Sequence, residues 1–175
     1  MAEAPRISGA SLMLVPFGDE HIGQHYVDWL NDPAVMRFSE VRHQRHSLET
    51  CKAYVASFDK SPHRHWAIIE QASGAHIGNI TSYIDVPNRV ADIGILIGVA
   101  EAWGRGYGRE AWQLVQTYQL RGGGARKVEA GTMAENRAML RIFQSSGMHE
   151  EGRRARHFML DDREVDLVQY AIFAN

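Results

Sequence analysis

Hydrophobic residues recur along the chain with two different periods, which separates predicted strands from predicted helices. Residues 11–17 are short and apolar between two glycines, which is typical of a strand. From Asp19 to Leu30 the apolar positions are three or four residues apart, which predicts a helix that ends before Pro33. Ser47 is a suitable N-cap for a second helix, whose buried face includes Cys51. Between these two helices, Asp32 is a suitable cap for a short helix with Pro33 in its first turn, which carries Val35, Met36 and Phe38. The first third of the chain therefore predicts one strand followed by helices.

The rest of the chain mixes strands and helices without strict alternation. Segments 66–70, 75–84 and 90–99 predict three strands joined by turns, and the third is apolar enough to be central and covered on both faces. The later segments predict, in order, a helix after the glycines at 104–108, a strand at 127–132, a helix at 136–146, and strands at 148–160 and 164–173. This order predicts an α/β (α+β) fold with a mixed sheet of about seven strands and helices on both faces.

Composition narrows the class of protein. A length of 175 residues, with 45% hydrophobic and 23% charged residues, predicts one globular domain over residues 1–175. The net charge of -2 disfavours a nucleic-acid-binding protein, which usually carries a basic excess. The longest mainly apolar stretch, 91–102, is too short to span a membrane, and a single cysteine suits a reducing compartment. We therefore expect a cytoplasmic monomer or homodimer that binds neither nucleic acid nor membranes.

The stretch from Trp103 to Ala111 is the most informative part of the sequence. It follows an apolar strand, opens a helix and reads Trp-Gly-Arg-Gly-Tyr-Gly-Arg-Glu-Ala. Glycines allow a ligand to approach the backbone, and the free amides of a helix start favour an anion, so this turn predicts a phosphate-bearing cofactor. Arg109 follows the last glycine where a P-loop needs lysine, and Gly106 and Gly108 are too close together for a dinucleotide fingerprint. A glycine turn without a ligand is the structural alternative.

This turn resembles the acetyl-coenzyme A loop of the GNAT acetyltransferases, with Trp103 at the position of their arginine or glutamine. It is similar to the branch of ribosomal-protein N-terminal acetyltransferases (RimJ/RimL-like). The segment Asn136-Arg137-Ala138-Met139, followed by Phe143 and Gly147, resembles the asparagine helix of the same superfamily. The resemblance implies a mixed, largely antiparallel sheet and acetyl-CoA as cosubstrate.

The resemblance also implies roles for individual residues. The diphosphate would be held by the backbone amides of Arg105, Gly106, Tyr107, Gly108 and Arg109. The pantetheine arm would pair with the strand end at Leu96, Ile97 and Val99 and contact Asn136. The other side of the arm would be lined by Met139, Arg141, Ile142 and Phe143.

Transfer to an amine needs a base, because an amine with a pKa of about 10.4 is neutral in roughly one molecule per thousand at pH 7. Asp92 lies where relatives often carry a glutamate base, and Glu40 is the second candidate. The alternatives are a surface carboxylate for Asp92 and an ion pair with Arg42 for Glu40, and for Glu40 we favour the ion pair. A backbone amide between Ile97 and Val99 would stabilise the oxyanion.

The leaving thiolate is the step at which the sequence departs from the family pattern. Many relatives carry a tyrosine where Phe143 stands, and phenylalanine cannot donate a proton. A thiol pKa of about 8.5 makes the thiolate a tolerable leaving group without an acid. Tyr107, Tyr118 and Ser145 are possible substitutes, and the sequence does not select among them.

The sequence therefore predicts an N-acetyltransferase that moves the acetyl group of acetyl-CoA to a primary amine by direct transfer in a ternary complex. We favour a small-molecule acceptor, such as an amino sugar or an antibiotic, because the sequence shows no strongly acidic groove for a basic peptide. The alternatives are a protein N-terminal acetyltransferase and a non-catalytic module that binds acetyl-CoA. The nine histidines include no HExxH pair, so we expect no metal.

Overall fold

The computed structural model describes residues 4–174, which form eight strands and four α-helices. The strands are β1 (Ile7–Ser8), β2 (Leu12–Pro16), β3 (Arg64–Glu70), β4 (His76–Asp85), β5 (Val90–Ile97), β6 (Lys127–Met133), β7 (His149–Leu160) and β8 (Arg163–Phe173). The helices are α1 (Gln24–Asn31), α2 (Leu48–Ala56), α3 (Tyr107–Arg121) and α4 (Arg137–Ser145). None of the described helices is long and apolar enough to cross a membrane.

All eight strands belong to one sheet, in the order β1-β2-β3-β4-β5-β6-β8-β7. Every neighbouring pair is antiparallel except β5 and β6, which run parallel. The mixed, largely antiparallel sheet expected from the sequence is therefore confirmed. The structure has one strand more than the seven predicted. This extra strand, β1, has only two residues and is too short to produce a periodic pattern in the sequence.

Helices cover both faces of the sheet, as predicted. On one face α3 and α4 pack their buried side chains, among them Trp112, Val115 and Phe143, against β3 to β6 in the main core. On the other face Tyr26 and Val27 of α1 and Cys51 and Val55 of α2 pack against β2 and β3. Cys51 is 2% exposed, which confirms it as a core residue.

Local capping fixes where the helices begin. The Ser47 hydroxyl accepts a hydrogen bond from the Thr50 amide at 3.2 Å, so the predicted N-cap of α2 is confirmed.

The prediction that β5 is covered on both faces is wrong, because Asp92 and Gly94 are exposed. They lie on the face that carries α1 and α2, opposite to the buried Ala91 and Ile93.

Candidate active site

A turn with three glycines leads from β5 into α3. Its second glycine, Gly106, is the N-cap of α3 and has a left-handed backbone with φ of 87°, and Gly104 has φ of 74°. Both positions therefore favour a residue without a Cβ. None of the described side chains caps this helix start, so the first amides of α3 have no acceptor within the helix. The turn offers an anion several N–H groups at the positive end of the helix dipole, at the place predicted from the sequence.

The third glycine brings α3 close to its neighbours. A Cβ on Gly108 would lie 3.3 Å from Cδ1 of Ile142 in α4 and 3.7 Å from Cγ1 of Ile97 in β5. The contact with Ile142 is tight enough that its side chain would have to move by a few tenths of an ångström, whereas the contact with Ile97 is an ordinary van der Waals distance. Gly108 therefore lies where α3, α4 and the end of β5 pack closely together.

Glu70, at the end of β3, anchors the glycine turn. Its carboxylate accepts a hydrogen bond from the Tyr107 hydroxyl, and its Oε1 lies 3.1 Å from Nη1 of Arg105. The Ser73 hydroxyl donates to Oε2 at 2.5 Å. Hydrogen bonds from Ser73 and then Tyr107, together with the charge of Arg105, lower the pKa of Glu70. Sequence reasoning missed this residue, because a glutamate at the end of a strand carries no signal of its partners.

A gap opens between the two central strands next to this turn. β5 and β6 pair only from Val90 to Asp92 on β5 and from Lys127 to Glu129 on β6. Beyond these residues β5 continues to Ile97 and β6 to Met133 without pairing with each other. The facing edges of the two strands are therefore not paired with each other, which leaves room for an extended ligand to add between them as a strand would.

Of the predicted strand-end residues, Ile97 directs its backbone groups into the gap. The Gly98 and Val99 amides both donate to the Ile77 carbonyl of β4, at 2.9 and 3.3 Å. Backbone groups alternate between the two sides along the regular strand that precedes Gly98, so those of Ile97 face away from β4. The alternation ends after Gly98, where the Val99 amide reaches the same carbonyl. The Ile97 carbonyl oxygen accepts a hydrogen bond from Nε1 of Trp103 at 2.9 Å. Leu96 has the opposite direction and pairs with Asn79 of β4.

α4 borders the far side of the gap, and Asn136 fixes its start. The Asn136 Oδ1 accepts from the Met139 amide at 3.2 Å, and its Nδ2 donates to the Thr132 hydroxyl of β6 at 3.1 Å. The asparagine therefore caps α4 and ties it to β6, a role that the resemblance did not include. Met139 is half-buried against the main core, whereas Arg141 is exposed.

Phe143 does not lie at a ligand surface, contrary to the expectation from the sequence. It is 0% exposed, and its ring centroid lies 5.2 Å from that of Trp112 and 5.1 Å from that of Tyr170. Apolar burial on the inner face of α4 holds it in the core.

The three substitutes for a general acid are engaged elsewhere. The Tyr107 hydroxyl donates to Glu70, the Ser145 hydroxyl donates to the Ile142 carbonyl at 3.1 Å, and the Tyr118 ring packs against Trp66. None of these contacts brings a hydroxyl into the gap.

Asp92 lies at the closed end of the gap, beside a second carboxylate. In the sheet it pairs with Tyr83 on β4 and Glu129 on β6. These residues, with Lys127 and His63, line a cleft of about 430 Å³ that is open to solvent. The surrounding protein, and then the Glu129 charge, raise the pKa of Asp92 to about 6. Asp92 is therefore a stronger base at neutral pH than an ordinary carboxylate.

Glu40 forms the ion pair that the sequence analysis favoured. Its Oε1 lies 2.7 Å from Nη1 of Arg42, and Nη2 of Arg42 donates to the Met159 carbonyl at 2.8 Å. Arg37 of the same loop pairs with Asp161 at the tip of the β7–β8 hairpin.

Phe38 packs with Met133, Leu160 and Val165 in a separate apolar cluster. Segment 33–46 and the hairpin tip thus close one side of the face on which Asp92 lies.

On the same face α1 covers the end of β5. A Cβ on Gly98 would lie 1.9 Å from Cδ2 of Trp29, so only glycine leaves room for this indole. His25 Nε2 and His76 Nδ1 are 3.2 Å apart, and His76 Nε2 lies 2.9 Å from the Gly78 carbonyl. Because a carbonyl only accepts, His76 carries its proton on Nε2 and accepts from His25. Burial, and then the nearby charges of His21 and His25, lower the pKa of His76 to about 4, which keeps it neutral.

Within residues 4–174 no group of three His, Cys, Asp or Glu side chains is placed to hold a metal ion.

The separated central strands and the uncapped helix start form one continuous site for an extended, anionic ligand. The sequence matches the model of the Acetyltransferase (GNAT) domain over residues 11–149. The chain belongs to the GNAT acetyltransferase family, as the sequence analysis predicted. No protein of curated function matches the sequence significantly.

Solved structures of several acetyltransferases share the fold. A spermidine N-acetyltransferase from Vibrio cholerae in complex with CoA and spermine is 18% identical, with a TM-score of 0.82 over 94% of this chain and 96% of that one. RimL, a ribosomal L7/L12 alpha-N-protein acetyltransferase in complex with coenzyme A, is 18% identical, with a TM-score of 0.83 over 97% and 98%. A ribosomal-protein-S5-alanine acetyltransferase from Vibrio fischeri is 11% identical, with a TM-score of 0.83 over 98% and 97%.

Proposed function

We propose that this acetyltransferase transfers the acetyl group of acetyl-CoA directly to a primary amine in a ternary complex. The observation that carries the proposal is the gap between β5 and β6, which leads to the uncapped start of α3. A diphosphate matches the amides of the helix start. The two amides of a pantetheine arm match the free edge of a strand, as an added strand would. Two of the structures that share the fold contain coenzyme A, which supports this assignment.

Ile97 is the residue that places the acetyl group. The coenzyme supplies this group as a thioester. The Ile97 N–H faces the gap and stabilises the negative charge that develops on the acetyl carbonyl oxygen. The Gly98 and Val99 amides are held by Ile77, so they leave this role to Ile97. As the amine nitrogen forms its bond to the carbonyl carbon, the carbon–sulfur bond breaks and the thiolate leaves.

Asp92 acts as the general base. Ile97 lies five residues further along β5, which is about 17 Å at the rise of a strand, so Asp92 takes the proton of the amine through a chain of ordered water. Its raised pKa matches this task, because a base works best with a pKa near the working pH. Solvent protonates the thiolate, since Phe143 is buried and has no hydroxyl group.

A small acceptor fits this face better than a peptide. The Arg37–Asp161 pair and the apolar cluster around Phe38 join segment 33–46 to the β7–β8 hairpin. A peptide crossing that side would have to break these contacts. Asp92 and Glu129 provide negative charge near the acceptor, although Lys127 lies 2.7 Å from Glu129 Oε2 and balances part of it.

The test is release of coenzyme A thiol from acetyl-CoA in the presence of an amine panel. The panel contains amino sugars, aminoglycosides, polyamines and a short peptide with a free N-terminus. We expect amine-dependent thiol release with a small amine and little with the peptide. Release with the peptide alone would identify a protein N-terminal acetyltransferase. Coenzyme binding without thiol release for any amine would identify a non-catalytic module.

A further inference from the structure

Trp103 lies where the glycine turn meets β5, in the path proposed for the coenzyme. Its indole Nε1–H donates to the Ile97 carbonyl oxygen at 2.9 Å. The residue is 45% exposed, whereas Trp66 and Trp112 are 0% and 1% exposed in the core. An exposed aromatic side chain is thus held at the gap by a hydrogen bond to the strand edge.

The acceptor of this hydrogen bond is a group that the coenzyme arm also needs. The Ile97 carbonyl faces away from β4 and into the gap, where a pantetheine amide N–H would seek an acceptor. A carbonyl oxygen has two lone pairs, but both donors approach Ile97 from the open side of β5. An indole N–H that already donates to this oxygen at 2.9 Å therefore competes with the amide of an added strand for the same acceptor.

We propose that Trp103 gates the coenzyme site. In the free protein its indole N–H satisfies the Ile97 carbonyl, and the pantetheine amide displaces it when the coenzyme binds. The inference rests on the proposed coenzyme site. It adds a residue that competes with the ligand instead of contacting it favourably.

The gate lowers coenzyme affinity, because the hydrogen bond from the indole must break before the pantetheine amide can donate its hydrogen bond to the Ile97 carbonyl. A neutral hydrogen bond of this kind changes an equilibrium constant by about 2- to 10-fold. Phenylalanine keeps an aromatic ring at the position but has no N–H to donate. Trp103→Phe should therefore bind coenzyme A about 2- to 10-fold more tightly than the wild type.

The first measurement is calorimetric titration of the wild type and Trp103→Phe with coenzyme A. Tighter binding by the variant supports the gate. Unchanged affinity would show that the amide and the indole do not compete, and weaker binding would show that Trp103 is part of the scaffold of the site; either result overturns the proposal. A wild type that takes up no coenzyme A at millimolar concentration would instead refute the proposed function.

The second measurement is made on the wild-type protein, and a variant is needed only to assign the Trp103 indole signal. In a ¹⁵N-labelled wild-type sample the Trp103 indole N–H signal should shift and exchange faster with solvent when coenzyme A is added. The signals of the buried Trp66 and Trp112 are internal controls. A Trp103 indole that stays equally protected in the coenzyme complex would overturn the proposal.

Discussion

Two glycine substitutions at opposite ends of α3 separate coenzyme binding from backbone strain. Gly106 and Gly124 have similar left-handed backbones, with φ of 87° and 80°. A Cβ at either position meets nothing within 4 Å, so neither alanine creates a clash in the free protein. Each substitution costs roughly 1–2 kcal/mol through the left-handed backbone alone. At about 2–4 °C per kcal/mol for a chain of this size, both variants should melt about 2–8 °C below the wild type.

Coenzyme affinity should respond to only one of them. Gly106→Ala disturbs the amides that we assign to the diphosphate, and the loss of one charge-assisted hydrogen bond weakens binding by about 10- to 100-fold. Gly124→Ala lies beyond the other end of the helix and should bind coenzyme A like the wild type. Calorimetric titration at 25 °C, with thermal melts to confirm folding, measures both quantities. Wild-type affinity in both variants would refute the cradle, and an equal loss in both would show a general effect of destabilisation.

The same structure leads to four further predictions. Asp92→Asn should lower turnover most near neutral pH. The wild-type rate should rise through about pH 6, because the Asp92 carboxyl group ionises there. Equal rates for both proteins at pH 7 and at pH 10 would show that Asp92 is not the base. The same substitution should raise the melting temperature at pH 8 but not at pH 4, because a raised pKa means that folding disfavours the ionised carboxylate. Gly98→Ala should lower the free energy of unfolding by about 1–3 kcal/mol, because the new methyl group clashes with Trp29. In urea titrations Trp29→Leu should restore part of this loss, and no restoration would show that Gly98 and Trp29 are not in contact. Burial lowers the pKa of His65 to about 3. The wild-type melting temperature should therefore fall as the pH drops below 6.5, because there only the unfolded chain protonates this imidazole. His65→Phe should show a smaller fall, and a pH dependence identical to that of the wild type would contradict the assignment to His65.

Local signals in the sequence predicted the elements that form the coenzyme side of the site. A glycine turn between an apolar strand and an amphipathic helix marks the start of α3, and Asn136 marks the start of α4. Both depend on interactions within a few residues, such as the hydrogen bond from the Met139 amide to Asn136 Oδ1. Such features can be predicted, because the partners are neighbours in the chain.

Contacts between distant segments account for what the sequence did not predict. Trp29 meets Gly98, and Glu70 meets Arg105 and Tyr107, across more than thirty residues in each case. Neither residue type indicates its partner. The gap between β5 and β6 likewise depends on where the pairing of two strands stops. Phe143 shows the opposite error, since the resemblance placed it at the ligand and apolar packing placed it in the core.

The most direct test of the central claim is a crystal structure of the protein with coenzyme A. We predict the diphosphate within hydrogen-bond distance of the main-chain amides of residues 105–109 and the pantetheine arm beside Ile97 in the gap between β5 and β6. A diphosphate bound elsewhere would contradict the account; one such place is the cavity of about 730 Å³ formed by the C-terminal half of α3 and β8.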